Sequence, residues 1–341
     1  MMINMSRILA PALALLVFVS SLPAKVDPNS PTGTHGLILI DKVGAHIRFF
    51  DPVTLKEIAS LEVSVNPHDL AISPDHKTAY VPIYGDGVYG RNPYPGHEIA
   101  IIDLTSHKLA GTIDISPYIA PHGIQIDRSG FIYVTCDLSR KLLVSDPKAR
   151  VVKDAIDTEG TGHWVAVLPD GSKAYVANKN DKLFISVIDL KARKIVSRVP
   201  APKGSQGITA SPDGKHVLVA DNGDPELIVI DTATDTVAGR IRLEGNQKAS
   251  FKPKYSPDGQ KILVCNLSEA LVNVISASDM HGKQQVFKVG KDPMGFGFSA
   301  DGKTALVANH GDGTVSVVDL KEGRVVDTFK AGTGIESLSY Y

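Results

Sequence analysis

Five segments of the chain share one grammar, HDLAISPDHK (68–77), HWVAVLPDGSK (163–173), QGITASPDGK (206–215), FKPKYSPDGQ (251–260) and MGFGFSADGK (294–303), and HGIQIDRSG (122–130) is a looser sixth copy with its own Asp and Gly in the turn. Each is a short alternating strand that ends in a Pro-Asp-Gly type turn, where Asp bonds its own backbone and Gly accepts positive φ. A second strand follows every turn (TAYVPIY, FIYVTCD, KAYVANK, HVLVADN, KILVCNL, TALVANH). Next comes a third that often ends in Asp, then a fourth rich in Val and Ile. β-branched and aromatic residues alternate and helical periodicity is absent, so the repeat predicts a four-stranded antiparallel unit. First strands start at 68, 122, 163, 206, 251 and 294, giving spacings of 54, 41, 43, 45 and 43 residues. Repeats of about 40–50 residues are the length of a propeller blade.

The two ends complete the ring. GLILIDK, HIRFFDP and EIASLEV near the N-terminus supply three strands without a first one, and the terminal ESLSYY supplies a first strand without the other three. Joined, they make a seventh blade and leave no unpaired edge. The expected fold is all-β: a single seven-bladed β-propeller domain over residues 25–341, with four antiparallel strands per blade. YVTC (133–136), YVAN (175–178), LVAN (306–309) and the SPDG turns resemble the YVTN-type β-propeller repeat family of exported prokaryotic proteins. That resemblance covers essentially the whole chain after its leader and implies the same fold. It leaves function open, because the architecture hosts lactonases, lyases, electron-transfer partners and binding modules.

Arg7, the apolar run Ile8–Val19 and the following SSLPA read as a secretory signal over residues 1–24, cleaved near Ala24. The run is short for a membrane span, and the mature protein is expected to be periplasmic or secreted. A formal net charge of -1 and the absence of any Lys/Arg run argue against nucleic acid as a partner. The expected partner is a small molecule, and the expected state a monomer. Cys136 and Cys265 end second strands three blades apart, too far for the roughly 7 Å between Cα atoms that a disulfide tolerates. They read as small buried hydrophobes.

In a propeller the start of each first strand rings the mouth of the central channel. Here that position holds His68, His122, His163, Gln206, Phe251, Met294 and Glu336. Consecutive blades are neighbours, so Glu336, His68, His122 and His163 form one polar arc facing Gln206, Phe251 and Met294. Three imidazoles and a carboxylate suit a divalent transition metal (Zn, Mn, Fe or Cu), or metal-free acid–base chemistry. A single His at a strand start is more often a loop anchor; three at equivalent positions are harder to assign so. The long connection YGDGVYGRNPYPGHE (84–98) brings Tyr84, Tyr89, Arg91 and His97, suited to orienting and covering a small polar ligand. Arg140, Lys179 and His310 are further candidate anion contacts, and Trp164 packs between blades or walls the pocket. The arrangement points to a metal-dependent lyase or hydrolase, lactonase-like, acting on a small oxygen-rich molecule. The alternative is a non-catalytic periplasmic ligand-binding or partner protein, for example of a quinoprotein dehydrogenase system. No CxxCH motif supports electron transfer, and neither a phosphate loop nor a GxSxG elbow is present.

Overall fold

The computed structural model describes residues 35–341; the leader and its cleavage site lie outside the described residues. Seven four-stranded antiparallel sheets follow one another around a ring. Blades 1 to 6 run over residues 71–114, 121–157, 164–200, 205–242, 252–288 and 293–330. Blade 7 pairs Ile335–Tyr340 with Leu37–Asp41, followed by His46–Phe50 and Glu57–Glu62. The expected closure by strands from both ends is therefore observed. Among the described residues there is no helix, and none long and apolar enough to cross a membrane.

Local chemistry explains why the repeat folds this way. In the turn after four of the first strands, Ser and Asp side chains bond each other and the loop's own backbone. In blade 1, Ser73 Oγ donates to Asp75 Oδ1 at 2.6 Å while Lys77 N donates to the same oxygen at 3.1 Å. Ser211–Asp213, Ser256–Asp258 and Ser299–Asp301 repeat the pattern. The Asp that ends many third strands accepts from the next turn's N–H groups, as Asp103 does from Thr105 and Ser106 at 3.0 and 2.7 Å.

Because successive side chains on a strand point to opposite faces, the central strands must be apolar on both. Leu37 and Leu39 pack towards blade 6 and Ile38 and Ile40 towards blade 1. Seven hydrophobic clusters result, one between each pair of adjacent blades. The outermost strands alternate with solvent instead, as in Lys194–Pro200. First strands of neighbouring blades touch, so they line the channel.

One expectation changes in form. Residues 84–98 are not an open loop but an extension of blade 1: Thr78–Val88 and Arg91–Asp103 pair as far out as Val88 opposite Arg91. Gly85, at φ 98°, allows the bend, since a Cβ there would lie 2.3 Å from Gly96 N and Tyr94 O.

Candidate functional site

The structure brings the predicted polar arc together. His68 and His122 have ring centroids 3.8 Å apart, and His122 and His163 4.4 Å apart. His68 Nε2 lies 3.0 Å from Glu336 Oε1, joining the first and last blades across the closure. All four side chains are at most 4% exposed. Backbone register holds them: His68 N donates to Pro82 O and His163 N to Ala177 O, while Thr135 Oγ1 donates to His163 O.

The hairpin of blade 1 roofs the arc. The Tyr84 ring lies 5.4 Å from both His68, to which it is tilted, and His122, which it meets edge-on, and Tyr89 meets His163 edge-on at 4.4 Å. Tyr84 OH donates to Asp137 Oδ2 at 2.8 Å, Gly90 N to the same oxygen at 3.1 Å, and Tyr89 OH to the Thr161 carbonyl. The roof is thus latched to blade 2 and to the loop before blade 3. Burial raises the Asp137 carboxyl pKa, against the opposing effect of the Tyr84 hydrogen bond.

Other candidates are placed elsewhere. Arg91 is exposed, and His97 points outward to Asp114 at 3.5 Å. Arg140 is exposed and pairs with Asp181 at 3.6 Å. Lys179 lies 4.5 Å over the Tyr89 ring, against the roof. Gln206 and Met294 are half-buried on the opposite arc, and Phe251 packs against the blade 3–4 core and the blade 5–6 core. His310 is half-buried on blade 6, close to Gly334. Trp164 takes both expected roles: it belongs to the blade 3–4 core and stands 5.0 Å from His122. Both cysteines are free and buried, and burial pushes the Cys265 thiol up to about 12.

Three groups escaped the sequence reading. Lys42 Nζ pairs with Glu336 Oε2 at 2.9 Å. Lys252 Nζ sits 3.6 Å over the Trp164 ring and 3.7 Å from Asp69 Oδ1, and Asp69 also accepts from Ser337 Oγ at 2.9 Å. A signal existed in the position one residue beyond the histidine ring. Gly123 and Gly207 occupy it in blades 2 and 4, where a Cβ would crowd Trp164 and Lys252 respectively.

Burial, the nearby ammonium groups and neighbouring imidazoles together fix the protonation states. His68 is pushed well below its usual value by burial, then by His122 and Lys42; His122 by burial, then Lys42 and Lys179; His163 by burial, then His122 and Lys179. All three imidazoles are neutral at pH 7. With Glu336 accepting, His68 Nε2 carries the hydrogen, which leaves Nδ1 as a lone pair. The Nδ1 atoms of all three histidines are buried without a hydrogen-bond partner.

A stability prediction follows from the same shifts. Below pH 6.5 the unfolded chain takes up protons that these imidazoles refuse in the folded state, so stability present above 6.5 is lost as pH falls. Each contributes a slope of about 1.4 kcal/mol per pH unit there. Urea unfolding at pH 7, 6 and 5 is expected to show a falling midpoint, with a shallower dependence in His122→Gln; equal slopes would refute this origin.

The donor types, neutral imidazoles and a carboxylate, match a transition metal's preferences. Their positions do not: among the described residues no group of three or more His, Cys, Asp or Glu side chains is arranged to hold a metal ion.

Fold and site together define a seven-bladed propeller with a closed polar centre at one channel mouth. Residues 132–258 match the family model described as YNCE-like beta-propeller, in agreement with the YVTN-type resemblance of the repeats. No curated protein sequence matches the chain. Among solved structures, the periplasmic gluconolactonase PpgL of Pseudomonas aeruginosa is similar at TM-score 0.71 and 18% identity, over 89% of this chain and 98% of that one. Hydrazine synthase of Kuenenia stuttgartiensis is similar at TM-score 0.67 and 20% identity, over 80% of this chain and 89% of that one. At these identities the likeness establishes the fold alone.

Proposed function

We propose that the protein is a lactonase-like hydrolase acting on a small oxygen-rich molecule, with His68 as general base and Glu336 as its orienting carboxylate. The observation that carries this reading is the Glu336–His68 contact of 3.0 Å beside an unpartnered Nδ1. A carboxylate that fixes one imidazole nitrogen and leaves the other free is the arrangement that general-base catalysis uses. Water held at His68 Nδ1 would lose its proton to the imidazole as its oxygen bonds the lactone carbonyl carbon. The ring C–O bond then breaks, and the proton passes from His68 to the departing alkoxide. Lys42 and Lys252, each near a carboxylate, would favour the negative charge that builds on the carbonyl oxygen. Tyr84 and Tyr89 would hold the substrate under the roof. Export to the periplasm, proposed from the leader, would give the enzyme access to sugar lactones outside the cytoplasm.

The fold likeness to a periplasmic gluconolactonase makes aldonolactones the first panel to assay. Ring opening, followed by acid release in weak buffer, is expected for at least one member above the spontaneous rate. No hydrolysis across the panel, with a ligand still bound, would favour the non-catalytic reading instead.

A metal-loaded site is the second reading, favoured by the three partnerless Nδ1 atoms. His68, His122, His163 and Glu336 would hold the ion after turning their side chains, and the ion would supply Lewis acidity. Elemental analysis after incubation with Zn, Mn, Fe and Cu in turn decides it. One equivalent in the parent that is lost in His122→Ala supports the metal; none in either removes it.

A further inference from the structure

Beneath the histidine arc the channel opens into a cavity of about 430 Å³ that reaches the turns at Pro212 and Pro257. Its walls combine apolar side chains such as Leu70, Ile124, Ile208 and Phe296 with polar groups that form the larger part of the exposed lining. Two ammonium groups break that surface. Lys252 and Lys254 lie two apart on the inner strand Lys252–Tyr255, so their side chains leave the same face, and both line the cavity. They are not equivalent. Lys252 has a carboxylate within 3.7 Å, Asp69. Among the described residues Lys254 has none: its Nζ donates to the carbonyl of Phe296 at 2.7 Å. The other titratable side chains on these walls are Asp69, Lys252 and Tyr255.

An amine next to a second cation, in a chamber large enough for a small molecule, has the surroundings of a nucleophilic lysine. We propose that Lys254 is a reactive amine that captures a small carbonyl compound bearing an anionic group, such as a 2-oxo acid, as an imine in this chamber. The Lys254 nitrogen lone pair bonds the carbonyl carbon and, after proton transfer from nitrogen to oxygen, gives a carbinolamine; its hydroxyl takes a proton from solvent and leaves as water as the nitrogen lone pair forms the C=N bond, which leaves the protonated imine. No oxidant or reductant is consumed. Lys252 places a positive charge for the anionic group of the ligand. Burial, then Lys252, lower the Lys254 pKa to about 8, with Asp69 opposing, so a useful fraction of free amine exists near neutrality.

The test is reductive trapping on the intact protein with glyoxylate as probe and cyanoborohydride as trapping reagent, at pH 7, followed by peptide mapping. A lower pKa enlarges the free-amine fraction by about two orders of magnitude and gives back part through weaker basicity. Lys254 is therefore expected to be labelled about tenfold faster than the exposed lysines. Lys254→Met is expected to lose that label alone, and Lys252→Met to move the pH midpoint of Lys254 labelling upward. Labelling of Lys254 in the parent at or below the rate of exposed lysines overturns the proposal, whether or not either variant folds. Lys252 serves both this chamber and the hydrolase reading, whereas Lys254 belongs to the chamber alone, so failure of Lys254 labelling would leave the hydrolase reading untouched.

Discussion

Replacing Asp41 with alanine is expected to destabilise the protein by about 3–5 kcal/mol, more than any other single carboxylate change, because it strips a buried anion from the ring closure. Asp41 is fully buried at the end of the strand that carries blade 7 from the N-terminal side. Its carboxylate accepts from Arg48 Nε at 2.9 Å, Gly334 N at 2.9 Å, Gly44 N at 3.1 Å and Thr333 N at 3.1 Å. Burial works to raise its pKa, yet the bonds from Gly334, Arg48, Thr333 and Gly44 outweigh it, and the carboxyl is held below the usual range. Gly334 and Thr333 belong to the segment that leads into Ile335–Tyr340, so one side chain ties the two ends of the chain together. Alanine would leave Arg48 and these N–H groups without their acceptor in a site closed to water. In thermal unfolding this corresponds to a fall on the order of 5–10 °C. Asp319→Ala is the control: that carboxylate is near the surface and bonds its own turn at Lys321 and Glu322, so a loss under about 1 kcal/mol is expected. If Asp41→Ala melted within a degree of Asp319→Ala, the closure would not depend on this anion.

The contrast between Asp319 and Asp41 also marks what a reader of the sequence can reach. Asp319, like Asp103 and Asp189, acts within three residues of itself, and its place after VSVV declares the turn. Local rules of this kind repeat in every blade, which is why strand order, blade number and the split blade were all legible. Asp41 acts on residues nearly 300 positions away, and nothing beside it in the sequence says so. The candidate site divides along the same line. His68, His122, His163 and Glu336 stand at equivalent places in the repeat, so periodicity alone aligned them. Lys42 and Lys252 reach the same centre from places that the histidines do not share; Lys42 pairs with Glu336 from the far end of the chain, and Lys252 with Asp69 from another blade. Arg91 and His97 show the reverse case. The length of 84–98 signalled a structure over the site, but a paired hairpin sends alternate side chains outward, and these two fall on the outer side.

His68→Ala is expected to lower kcat/KM for lactone opening by at least 100-fold, the range of a lost general base, with the fold retained. The effect should fall on kcat, because the imidazole acts on water as the carbonyl is attacked and contributes little to holding the substrate. Glu336→Gln makes the sharper test, since it keeps the volume and a hydrogen-bonding oxygen while removing the charge. Its plateau rate should fall roughly tenfold or more, as the imidazolium formed during attack loses its stabilising carboxylate and Lys42 loses its partner. The pH profile separates this from a structural defect. His68 must be neutral to act, and its pKa lies well below 6.5, so the parent should hold its rate from pH 8 down past 6.5 and lose it only in more acid solution. Removing a negative charge from 3.0 Å away disfavours the protonated ring further, so the acid limb of Glu336→Gln must shift to lower pH even as the plateau drops. Simple misfolding would lower the plateau without moving the limb, and a metal-bound water would lose its ion in both variants. An unshifted limb with an unchanged plateau would remove Glu336 from the catalytic pair and, with it, the argument that His68 is the base.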